Sequence, residues 1–123
     1  MKLSITDDKL MLNLEWYEQL WAFNLNKTLE IPLKNIEEVT TAEPESNWQE
    51  IRAPGTFVPG IIKAGTYYTK IGREFWYVRQ EKNYLTLKLK DEYYKKIIIT
   101  IDESEFWANQ IDNYLYSRNI KRE

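Results

Sequence analysis

Hydrophobic and polar positions alternate with a period of two over most of the chain, and the period lengthens to that of a helix only near the end. Leu3 and Ile5, then Leu10, Leu12 and Leu14, alternate with polar or smaller neighbours on either side of Asp7-Asp8. That pattern predicts two short strands around a polar turn. In "EWYEQLWAF", Trp16, Leu20 and Phe23 fall at helical spacing with Tyr17 and Trp21 beside them. The segment reads either as one or two helical turns or as an aromatic-rich strand. "LEIPLKNIEEVTTAE" predicts a strand ending near Pro32, which offers no ladder donor, then a second extended piece from Ile36 to Thr41. The polar, turn-rich "EPESNWQEIRAPG" predicts a loop.

From Gly65 onward the alternation is cleaner. "TYYT", "KIGR" and "EFWYVRQ" predict a hairpin with Gly72 in its turn. Leu85, Leu87 and Leu89 face inward while Thr86, Lys88 and Lys90 face out, and after a turn at "DEYY" Ile97, Ile99 and Ile101 share one face. These strands predict a β-meander. In "DESEFWANQIDNYLYSRN" the period changes: Asp102 and Glu105 form a variant capping box, and Trp107, Ile111, Tyr114, Leu115 and Arg118 make one stripe with Ala108 on its flank. This predicts an amphipathic helix of about four turns. Residues 1–117 are then one domain and 118–123 a flexible tail. The expected fold class is mainly β with one C-terminal α-helix: a bent antiparallel barrel of six to seven strands capped by that helix.

All four glycines, Gly55, Gly60, Gly65 and Gly72, fall within "RAPGTFVPGIIKAGTYYTKIG". The first three repeat the G-x-x-x-x-G spacing that opens a phosphate-binding loop. Such a loop needs Lys and then Ser or Thr after the second glycine. Here Ile61-Ile62 and Thr66-Tyr67 follow, and Pro59 removes an amide donor from the would-be cradle. A P-loop is rejected at this segment. "APGT" and "VPGI" instead place Pro and Gly at the central positions of type II turns, with "TFV" between them burying Phe57 and Val58.

The run "IPLKNIEEV", the segment "RAPGTFVPGIIKAGTYY", the hairpin "GREFWYV", the strands "YLTLKLKDEYYKKIIITID" and the closing helix resemble bacterial PH-like domains, over Lys2 to Leu115. The resemblance implies a pleckstrin-homology-type barrel used as a binding or scaffolding module without catalysis. Domains of this fold bind phosphoinositides, phosphotyrosine-type or proline-rich peptides, or other proteins. Lipid-binding members carry a basic cluster between the first two strands. Here that turn is Asp7-Asp8 with the single Lys9, so no lipid-binding residue carries over.

Composition narrows the chemistry further. The chain has no histidine and no cysteine, which removes imidazole bases, thiol nucleophiles, zinc–thiolate sites and disulfides together. No catalytic residue, metal site or cofactor is assigned. Glu37, Glu38, Glu43 and Glu45 lack the ligand spacing of a calcium loop and read as solvated charge. The opening residues lack the apolar core of a signal peptide, and the expected location is the cytoplasm.

Charge is segregated. Residues 1–62 carry five basic and ten acidic groups, residues 63–96 nine and four, and the remainder three and five. Nucleic acid is disfavoured, because Glu15 and Glu18 flank Trp16 and Trp21 and the isoelectric point is about 5.3. Most aromatic rings are expected in the core or half-buried at its rim. Basic and aromatic residues mixed on one sheet face mark the candidate binding surface: Lys70, Arg73, Trp76, Arg79, Lys88 and Lys90. The expected partner is a protein or peptide, a second copy of the chain included. An anionic membrane surface meeting the basic 63–96 block is the alternative.

Overall fold

The structure is a computed structural model that describes residues 1–22, 24–44, 51–58 and 61–122, with the backbone alone at 51–55 and 118–122. Strands β1 (Lys2–Thr6), β2 (Lys9–Asn13) and β3 (Thr28–Pro32) form an antiparallel sheet in that order. Asp7 and Asp8 both take positive φ (53° and 60°), the conformation a two-residue hairpin turn requires and Asp tolerates. Helix α1 (Trp16–Ala22) joins β2 to β3.

A second sheet holds β4 (Ile36–Thr40), β5 (Ile51–Val58), β6 (Ile62–Tyr68), β7 (Arg73–Arg79), β8 (Tyr84–Leu89) and β9 (Lys96–Thr100). Its spatial order is β4-β8-β9-β7-β6-β5. Helix α2 (Ser104–Arg122) follows, and a 3-10 turn at Leu33–Asn35 links the sheets.

This order corrects the expected meander. β8 does not lie between β7 and β9; β9 inserts beside β7, runs parallel to it, and pairs antiparallel with β8 on its other side. The physical reason is in "KIIIT". Ile97, Ile98 and Ile99 are all buried, and a run that is apolar on both faces suits a central strand, flanked by neighbours on both sides and packed above and below. β8, with half-buried Thr86 and exposed Lys88 on one side, tolerates the outer place.

The main core lies between the sheets. Leu10, Leu12 and Ile31 face Phe75, Tyr77, Leu85, Leu87, Ile97 and Ile99, and α2 lays Ala108, Ile111 and Leu115 over β4, β8 and the 3-10 turn. The mainly-β class with one C-terminal helix is therefore as expected. Among the described residues there are nine strands rather than six to seven, and they form two sheets that do not close into a barrel. On the other face of the second sheet, Trp76, Tyr67 and Ile98 make a smaller cluster. Trp76 stands across the ladder from Gly65, and the Lys63 ammonium lies 3.6 Å from its ring centroid and 4.4 Å from that of Tyr67.

Other expectations change. Ile51–Val58 is a strand and not a loop: "APGT" makes no turn but a bulge, with the register slipping between Arg52 and Gly55. Pairing with β6 outweighs the local turn signal, and an edge strand with a bulge is where a sheet accommodates proline. Phe57 and Val58 are exposed rather than buried. The expected turn "VPGI" involves Pro59 and Gly60, which lie outside the described residues. α2 begins at Ser104, one position later than an Asp102 cap implies, after Glu103 at φ 61°. The α1 aromatics are not core, since the helix buries only Glu18 and Ala22 and leaves Trp16 71% exposed.

Gly72 closes the β6–β7 hairpin at φ +145°, and a Cβ there would stand 2.6 Å from the flexible Lys95 side chain. The atom met is Cγ, near the root of the side chain, so the whole lysine must turn aside, and the backbone angle is unfavourable to a Cβ in any case. Gly72→Ala is expected to cost about 1–3 kcal/mol in urea unfolding. Adding Lys95→Ala, which removes that Cγ, should recover only the part of the loss due to the contact and leave the part due to the backbone angle.

A groove between strand β4 and helix α2

The six residues singled out from the sequence fall in different places. Along β7 the side chains alternate, so Arg73 and Arg79 share the face of Phe75 and Tyr77 at opposite ends, while Trp76 points to the other side. Trp76 is only 3% exposed and donates from Nε1 to Glu74 Oε1 at 3.0 Å. Lys70 lies in the β6–β7 turn near Arg73, whose guanidinium stacks 3.9 Å over the Tyr93 ring. Lys88 is exposed, between Glu38 of β4 and Lys96 of β9 across the ladders. Lys90 lies just beyond β8 and donates its backbone N–H to the Asn35 carbonyl at 2.9 Å. The structure brings Lys70 and Arg73 to one end of the sheet, places Arg79 at the other, and sinks Trp76 into the smaller cluster.

A different feature forms at the edge. β4 ends the strand order of the second sheet, and no described strand pairs with its far side. A bulge between Ile36 and Glu38 makes Glu37 the extra residue, so that Ile36 and Val39 both turn toward the core and Glu38 turns away. α2 crosses beside it. Between the two runs an open groove of about 590 Å³, lined by Glu37, Glu38, Val39 and Thr40 from β4 and by Asp112, Leu115 and Tyr116 from α2.

Three carboxylates thus border a strip with an apolar base. Asp112 and Tyr116 share a helix face at i, i+4, and "IEEV" is adjacent in space only because α2 closes over β4. Sequence reasoning saw these glutamates as isolated surface charge. The signal that finds the groove is the edge position of β4, which depends on the placement of β9. Among the described residues no cluster of three or more acidic groups is placed to hold a metal ion.

Under α1, Glu18 is buried. Its carboxylate accepts from the Met1 amine at 2.7 Å and from the Glu15 backbone N–H at 2.7 Å, the latter a helix-capping contact. Burial pushes the nearby Tyr77 hydroxyl up to about 12, and the Glu18 charge adds to the shift. Tyr94 is also raised by burial, although its hydroxyl is hydrogen-bonded to Thr66 at 3.2 Å and to the Asn24 amide, which donates at 3.3 Å.

Two sheets packed face to face, closed by a C-terminal helix, with an open edge beside that helix, define a small binding domain of the pleckstrin-homology type. The chain belongs to the bacterial PH domain family, whose model matches residues 1–111. No curated protein and no solved structure matches the chain. As a class these domains are binding or scaffolding modules. Among the described residues no helix is long and apolar enough to cross a membrane.

The tyrosines set an alkaline limit. Between the ordinary tyrosine pKa and about 12 the unfolded chain releases the Tyr77 proton while the folded protein keeps it, so stability falls as pH rises through that window. Urea midpoints measured from pH 9 to pH 12 are expected to drop for the parent chain, and less steeply for Tyr77→Phe.

Proposed function

We propose that the domain is a non-catalytic module that binds an extended, basic segment of another protein along the Glu37–Thr40 edge of β4, against α2. The observation that carries this reading is the groove itself: an edge strand with no described partner, walled by a helix and bordered by three carboxylates. An added strand satisfies the row of backbone donors and acceptors that a sheet edge presents, and side chains at alternate positions supply specificity. Val39 and Leu115 offer apolar contact while Glu37, Glu38 and Asp112 select lysine or arginine. The opposite edge strand, β5, is less suited, because Pro54 within its bulge supplies no backbone donor. The basic residues expected from sequence to form the binding face enter differently: Lys88 pairs across the ladder with Glu38 and tempers the charge at the groove's border.

A fluorescent peptide alternating Lys with Val is the probe, read by polarisation at low and moderate salt. The parent chain is expected to bind it with an affinity that falls as salt rises. Glu38→Lys combined with Asp112→Lys should weaken binding by about tenfold or more, since two attractive charges become repulsive. Both positions are exposed, and the variant should unfold at the parent midpoint. Equal binding by parent and variant, or no binding by the parent, contradicts the reading.

A further inference from the structure

Helix α1 turns its largest side chains outward. Trp16 is 71% exposed, Leu20 65%, Trp21 46% and Tyr17 39%. With Glu18 and Ala22 inward, the turn of the helix aims Trp16 and Leu20 directly away from the core and lays Tyr17 and Trp21 along one flank. No charge shares this ridge. Glu18 is the only charged residue of the helix, and its buried carboxylate takes the Met1 ammonium and the Glu15 N–H. The helix is also held in place at both ends. Those two contacts fix its first turn, and the Gln19 amide donates to the Leu25 carbonyl at 3.2 Å beyond its last. α1 lies against β5 and β6 on the main-core side, the side to which Val58, opposite the core-packed Ile62, also turns its 40% exposed side chain.

We infer that this ridge is the two-fold interface between two copies of the chain. The exposed parts of these five side chains amount to about 500 Å², taking about 150–250 Å² for a whole aromatic ring. A monomer seldom leaves a larger contiguous apolar patch in water. Adding the polar rim of Glu15, Gln19 and Asn24 brings the surface near the roughly 800 Å² per partner of a standard stable interface. An uncharged ridge gives an acidic or basic partner nothing to select, but it is complementary to itself. With two α1 helices antiparallel across a dyad, Trp16 of each copy meets Leu20 of the other. Tryptophan and tyrosine are the rings that anchor such contacts, and a helix already fixed loses little freedom on pairing. β5 and β6 stand at the opposite end of the strand order from β4, so the pairing leaves both β4 edges open. The inference does not depend on the β4 reading. Where both hold, the pair carries two grooves, and a chain with two basic segments binds it with an avidity that one domain lacks.

Sedimentation equilibrium of the parent chain, from low to high micromolar concentration, tests this. The mass is expected to reach that of two chains and to fall on dilution. Raised salt should leave the pair intact, because the contact is apolar. Leu20→Glu should raise the dissociation constant by about a hundredfold, since the dyad counts the loss of one large aliphatic side chain twice. Trp16→Glu should do at least as much, while Phe106→Glu, at an exposed apolar position on α2, should pair as the parent does. Unfolding midpoints verify that the variants are folded. If either variant is not, acrylamide quenching of the parent decides: tryptophan accessibility should rise as the protein is diluted through the dissociation range. A parent that stays monomeric overturns the inference. So does a pair that salt dissolves, a pair that folded Leu20→Glu and Trp16→Glu leave intact, or quenching that dilution does not change.

Discussion

Ile97 and Ile99 on one face of β9, and Ile98 on the other, are all but sealed from water, and that burial demands cover on both sides of a single strand. Each isoleucine contributes about 1.5–3 kcal/mol when fully buried, a large share of the net stability of a domain this size. One face is covered by the first sheet and by Ile111 of α2. The other is covered in part by Trp76 and Tyr67, with the Lys63 ammonium over both rings. A strand so covered is suited to the middle of a sheet, which is where β9 lies.

The consequences reach the surface. With β9 beside β7, β8 is displaced outward and pairs with β4, which becomes the edge. α2, leaving β9 after a short turn, closes the core by crossing β4 and β8. The open edge and the helix wall therefore arise from one topological choice. The groove is a by-product of how the core is closed, and its acidic border is a property of β4 and α2 alone. At the other connections, hydrogen bonds from Asn24 and Lys95 fix loop tips that carry apolar side chains into water.

Local patterns were legible where packing is local. The alternation of Leu85, Leu87 and Leu89, the Asp7-Asp8 turn, and the helical stripe of Ala108, Ile111 and Leu115 all read directly from residue type and spacing. So did the bacterial PH resemblance, carried by the same strands. Strand order was not legible, because periodicity says which face a residue takes and nothing about which strand lies alongside. The buried Ile98 is the residue that distinguishes a central strand from an outer one, and "IIITI" contained that information. Pro54-Gly55 misled for the complementary reason: the turn preference is local and weak against a full ladder with β6. The aromatics of α1 misled because a large ring reads as core, whereas the inward positions of that helix belong to Glu18 and Ala22. The groove joins residues some seventy positions apart, and nothing in "IEEV" or in the helix names the other.

The central claim is that burial of β9 leaves β4 an open edge able to accept another strand. Amide hydrogen exchange, followed residue by residue with and without the Lys-Val peptide, tests it most directly. The account predicts Ile97–Ile99 among the slowest amides in both states, and faster exchange along Glu37–Thr40 that slows when the peptide is added. Equally slow exchange at β4 and β9 in the free protein would contradict it, because the edge would already be covered.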